Sequence, residues 1–210
     1  MEDRFPIYVQ LWRRAEQDGA WVHYDGWADH GMAGYFDARV RDGLGPMIAI
    51  TRPYYIEDAE VPRRESQAPP PLPQPDIERE LATLAHEYGH LHSFLGRTPR
   101  DEWERYDTIA RLRSSVSDEL TENMPDGLTA AEANERFRAE LGARLGEEAC
   151  SAIVREETLA WAIGREVLVE LGVVDLSFFD ERTRIGLHLH RYRLGIDDAW
   201  PEDGMPGPTE

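Results

Sequence analysis

Cysteine is almost absent: the 210-residue chain contains one, Cys150. No internal disulfide can form, so a reducing, cytoplasmic setting is the expectation. Cys150 falls in a stretch of helical pattern and reads as a small buried hydrophobe. Positive charge is scarce as well. The 41 acidic residues outnumber the 23 basic ones, leaving a net charge of −18. That balance argues against non-specific binding to nucleic acid or to anionic membranes, because phosphate contacts need a basic surface. Helix-turn-helix patterns, basic runs and zinc-finger spacings are missing too. Long apolar runs are lacking, and the opening Met1-Glu-Asp-Arg-Phe-Pro6 has none of the features of a signal peptide. No membrane association is expected. The acidity serves solubility, and it would also steer basic substrate segments toward a cleft.

What is present is concentrated in one stretch, Glu80 to Gly96, which holds His86-Glu87-Tyr88-Gly89-His90. This is the H-E-x-x-H pattern. Residues i and i+4 lie one turn apart on a helical face, so His86 and His90 can offer imidazole nitrogens to a single ion. Glu87 stands beside the first of them, placed to take a proton from a water at that ion. On a helical wheel Ile77, Leu81, Leu84, Ala85, Tyr88, Leu91 and Leu95 form one apolar stripe. His86, His90 and Thr83 fall opposite it, which pictures the two histidines looking across a cleft. The bland alternative is a solvated helix with two surface histidines. Asp76 is the expected N-cap after Pro75, and Gly96 before Thr98-Pro99 the expected stop. Gly89 lies between the two faces, where a side chain would hold a neighbouring backbone away.

Leu84-Ala-His-Glu-Tyr-Gly-His-Leu-His92 resembles the active-site helix of small bacterial gluzincins, and among them the ImmA/IrrE-type metallopeptidases. The resemblance covers roughly residues 34–172. It implies a zincin-like α+β fold, mostly helical, with a small mixed sheet packed on the H-E-x-x-H helix. It implies a zinc-dependent peptidase acting on a protein or peptide substrate, in which Glu87 is the general base. It also implies a sheet edge strand along the cleft that can hold an extended peptide by backbone hydrogen bonds.

A catalytic zinc site has three protein ligands and an open position. The metzincin pattern would need Gly and His where Ser93 and Gly96 stand, so it is excluded. The gluzincin solution takes a Glu from a later helix. Arg155-Glu-Glu-Thr-Leu-Ala-Trp-Ala-Ile-Gly164 resembles the family's ligand helix, where a Glu precedes a small Ala by three residues. That match picks Glu157, with Ala160 as the small residue. Glu156 is the alternative, because both acids border the buried face of the helix, and whichever does not bind could orient His86 or His90. Glu119 and Glu122 are more distant candidates.

The rest of the chain frames this helix. Pro6 to Gln17 reads as a short helix and Trp21 to Asp25 as a strand, with the surrounding aromatics as core. Residues 32–56 read as a β-hairpin turning at Asp42-Gly43, and Met47 to Thr51 is apolar enough to be an internal strand. Residues 61–75, with six prolines, read as an extended connection or a flap or adaptor-binding segment. A helix is expected over residues 101–123, with Ser114 to Ser117 as a possible break. Thr129-Ala-Ala-Glu132 is a capping box opening a helix through about Leu145. Residues 147–171 are the second important helix, in which the small pair Ala160 and Gly164 permits close approach of another helix. A last helix spans about 177–194 on Phe178, Ile185, Leu189 and Tyr192. There His188 lies near the apolar line, where a structural role is the simpler reading, although it can also reach the cleft to stabilise a carbonyl oxyanion. His190 points elsewhere, while His92 and Tyr88 fall on the apolar stripe of the H-E-x-x-H helix. The expected organisation is one domain over residues 1–196 and a loose acidic tail over 197–210. A non-catalytic interaction module on the same scaffold is the alternative to an enzyme.

Overall fold

The computed structural model describes residues 4–25, 34–38, 45–51, 74–125 and 127–197. In chain order the elements are α1 (Phe5–Gln17), β1 (Trp21–Asp25), β2 (Gly34–Asp37), β3 (Met47–Thr51), α2 (Gln74–His92), α3 (Arg100–Glu122), α4 (Ala130–Leu145), α5 (Glu147–Glu170) and α6 (Ser177–Arg193). The result is a mostly helical α+β chain with one small mixed sheet, as expected. No described helix is long and apolar enough to cross a membrane. The chain divides into two compact units, Met1–Thr98 with Leu159–Arg182, and Pro99–Thr158 with Thr183–Glu210. Both divisions fall inside helices, α5 and α6, so each of these helices contributes to both units.

In the first unit the strand order is β1-β3-β2, with β1 parallel and β2 antiparallel to β3. The hairpin of β2 and β3 is present, though its turn at 41–44 lies outside the described residues. Ile48, Ala49 and Ile50 of the central strand are fully buried, which is why that strand carries an apolar run in place of alternation. α1 packs on α2 through an aromatic and aliphatic face of Tyr8, Leu11, Trp12 and Ala15. α2 also packs against β2 and β3.

The crossing of α2 and the later part of α5 is the tightest feature of this unit. A Cβ on Gly89 would lie 2.1 Å from the carbonyl oxygen of Ala160, and one on Gly164 would lie 2.5 Å from that of Ala85. Backbone meets backbone here, so the small residues read from the sequence are steric requirements.

Both boundaries of α2 differ from expectation. α2 begins at Gln74, two residues before the expected Asp76 cap. Pro75 therefore sits in the first turn, where its missing N–H costs no helical bond. The described end of the proline-rich stretch is thus helical, and its residues 61–73 lie outside the described residues. After His92 the chain takes a π-helical turn over Ser93–Arg97, with Gly96 at φ 119°, a left-handed conformation that suits glycine. Leu95 follows this distortion off the apolar stripe and is 51% exposed.

The second unit contains α3, α4, the first part of α5 and the last part of α6. Val116, Leu120, Leu141, Leu145, Cys150, Ile153 and Leu194 form its core, so Cys150 is buried as a hydrophobe and burial pushes its thiol pKa up. α3 runs unbroken through Ser114 to Ser117. Tertiary burial of Val116 and Leu120 overrides the weak helix propensity of the intervening serines. The capping box of α4 has both reciprocal bonds: the Glu132 N–H donates to the Thr129 hydroxyl at 3.3 Å, and the Thr129 N–H donates to the Glu132 carboxylate at 2.9 Å. Thr129→Ala is expected to cost about 1 kcal/mol, read by urea unfolding. The bonds from Thr129 hold the Glu132 carboxyl below its usual range. The contribution of the box is therefore complete above the ordinary Glu pKa and is lost as pH falls through the lowered folded value. The wild-type advantage over Thr129→Ala should shrink in acid.

Candidate metal centre

His86, Glu87 and His90 occupy the second half of α2, where every residue from Glu80 to Leu91 is buried. The face opposite the apolar stripe is therefore covered, with His86 at 7% and His90 at 5% exposure. Two surface histidines on a solvated helix, the bland alternative, do not exist here. The expected open view across a cleft is also replaced by an enclosed face. The wheel located the apolar stripe correctly as far as Leu91, but it carries no information about what packs on the other side.

The packing around the two imidazoles is specific. The His86 ring stacks on Trp161 of α5 at 4.2 Å and 21°. Trp161 in turn meets Phe179 of α6 edge-on at 5.2 Å. The His90 ring lies parallel to Phe36 of β2, 6.4 Å away. The two imidazoles are 4.7 Å apart at 73°. Glu87 sits beneath the start of β2: a Cβ on Gly34 would lie 3.6 Å from Glu87 Cγ and 2.6 Å from Thr83 Cγ2. Only glycine lets this edge strand come so close to the helix.

Glu157 lies on α5, one turn before Ala160 and Trp161. His86, His90 and Glu157 each offer a ligand atom, and these atoms lie within 4.8 Å of one another. All three residues are buried. Two neutral imidazoles and a carboxylate suit a divalent transition metal, and the group can hold such an ion. Glu156 is equally buried, at 5% exposure, yet does not join the group. Glu119 and Glu122 are exposed on α3 and do not join it either.

Of the other histidines on α6, one departs from expectation. His188 faces Asp197, with Nε2 3.9 Å from a carboxylate oxygen. His190, two residues on, places Nε2 3.3 Å from Glu157 Oε2. The sequence signal that would have found it is Leu194. That residue is a core anchor one turn beyond His190 and turns this face of α6 inward. Phe179, not Phe178, is the fully buried aromatic at the start of the helix, while Phe178 carries the guanidinium of Arg4 over its ring.

Behind α2, Tyr88 is fully buried and donates its hydroxyl to Asp18. Burial, and then Asp18, push the Tyr88 phenol above its usual pKa. His92 Nε2 lies 3.5 Å from the same Asp18 carboxylate, partly exposed where a core histidine was expected. Burial holds the His92 pKa down, against the opposing pull of Asp18. No protein-family model matches the chain, and no curated protein or solved structure is significantly similar to it.

Proposed function

We propose that the chain is a zinc-dependent metallopeptidase of zincin-like, gluzincin type, akin to the ImmA/IrrE-type enzymes its active-site helix resembles. The observation that carries this reading is the gathering of Glu157 with His86 and His90, the set that the resemblance implies. A closed structural zinc site prefers thiolates and four protein ligands, whereas two histidines and one carboxylate leave a position open for water. When bound, zinc acidifies a water molecule and polarises a carbonyl oxygen.

The chain's own residues supply the rest. His86, His90 and Glu157 hold the ion. Glu87 lies next to His86 in the chain and is 6% exposed, so its carboxylate works where bulk water competes little. It takes a proton from the attacking water and later delivers it to the leaving amine. In the sheet order β1-β3-β2, β2 is the strand next to the site. It begins over Glu87 and carries Phe36 beside His90. An extended protein or peptide substrate lying along β2 would have its backbone beside both side chains.

Metal removal tests the proposal. A quenched peptide library should be cleaved by the zinc-loaded protein, lose cleavage with 1,10-phenanthroline, and regain it on zinc addition. Cleavage that persists in the fully metal-stripped protein would contradict the proposal. A zinc-bound protein that cleaves no peptide or protein would favour the interaction module instead.

A further inference from the structure

A close contact between Glu157 and His190 has no part in the chemistry proposed so far. His190 Nε2 stands 3.3 Å from Glu157 Oε2, with side-chain exposures of 22% and 6%. We propose that His190 is a positioning residue for Glu157, holding its carboxylate in the orientation that lets it complete the group with His86 and His90. The inference rests on the zinc reading of that group.

A glutamate carboxylate rotates freely about its last torsion, which has no sharp staggered wells. Ligation by one oxygen removes that rotational freedom, so a neighbour that limits it beforehand favours binding. The His190 Nε2 lies within ion-pair distance of Oε2 without being aligned as a hydrogen bond, and an imidazole edge this close limits the rotation of the carboxylate. Such outer neighbours tune both the geometry and the basicity of a ligand.

His190 is itself well held, which a positioning residue requires. It lies on the last turns of α6, where Tyr192 is buried and donates its hydroxyl to Glu135 at 3.1 Å. The Arg138 guanidinium covers the Tyr192 ring at 4.6 Å. Arg191 donates two bonds to Asp197, at 2.9 and 2.8 Å. Leu194 is 3% exposed in the core of the same unit. The end of α6 is thus anchored on two sides, and His190 is carried between these anchors. The other histidine near this end of the helix, His188, places Nε2 3.9 Å from an Asp197 carboxylate oxygen.

The test is zinc affinity, measured by chelator competition on the full chain, with apo-state thermal melts as the fold control. His190→Ala should weaken zinc binding about 10–100-fold at an unchanged apo melting temperature. His190→Gln should recover most of the loss, because its amide N–H can stand where Nε2–H stood. In a Glu157→Ala background, His190→Ala should add nothing. Wild-type affinity in His190→Ala, or an equal loss in the Glu157→Ala background, would overturn the proposal. If His190→Ala does not fold, His190→Leu, which keeps bulk but has no N–H, takes its place: a loss of about 10–100-fold that His190→Gln largely recovers supports the role, and wild-type affinity contradicts it. A wild-type chain that binds no zinc would instead overturn the metal reading itself.

Discussion

Glu87→Gln is expected to lower peptide hydrolysis by about 10²–10⁴-fold while leaving the zinc content at the wild-type level. The change keeps the size and hydrogen-bonding outline of the side chain but removes its ability to accept a proton. Glu87 is buried between α2 and the start of β2, so an isosteric amide should pack without disturbing Gly34 or Thr83. The loss should fall on kcat more than on KM, since the base acts in the transition state. Steady-state kinetics on a cleaved peptide, together with zinc analysis of the same sample, separates loss of the base from loss of the ion. Hydrolysis at the wild-type rate would show that Glu87 is not the base.

The second large effect is on folding. Gly89→Ala places a methyl 2.1 Å from a backbone carbonyl that cannot rotate aside. The helices must separate or tilt, and overpacking of this kind costs about 1–3 kcal/mol or more. For a chain of this size a loss of 3 kcal/mol lowers Tm by roughly 6–12 °C. Gly164→Ala should behave similarly at its 2.5 Å contact with Ala85. Both changes act on the crossing that also fixes α5 beside His86, so zinc affinity should fall along with Tm. Calorimetry of the apo proteins checks the first effect and chelator competition the second. Wild-type melting temperatures for both variants would mean that the crossing is looser than the described geometry.

How much of this was legible in the sequence depends on whether the signal was local. β1 was readable to the residue because it lies in a short aromatic stretch with Trp21 and Tyr24. α4 was equally readable because its capping box fixes the start and Gly146 the end. Close approaches at Gly89 and at Ala160 and Gly164 were readable, but not that α2 and α5 are each other's partners there. The H-E-x-x-H helix announces its own ligands. Burial of the face that carries them did not follow, because it depends on β2 and α5, which are remote in the chain. The unbroken α3 is a similar case, in which core contacts at Val116 and Leu120 overrule a local run of serines. His190 was missed for a third reason. Leu189 and Tyr192 define an apolar line that points away from it, and only Leu194 reveals the other buried face.

The most direct measurement is zinc stoichiometry and affinity in three proteins: wild type, Glu157→Gln and Glu156→Gln. Wild type should bind one ion per chain. Glu157→Gln should lose more affinity than the roughly 10–100-fold expected from removing a supporting neighbour, and Glu156→Gln should stay close to wild type. A wild-type chain without stoichiometric zinc, or a site that survives Glu157→Gln and fails with Glu156→Gln, would contradict the assignment of His86, His90 and Glu157 as the ligands.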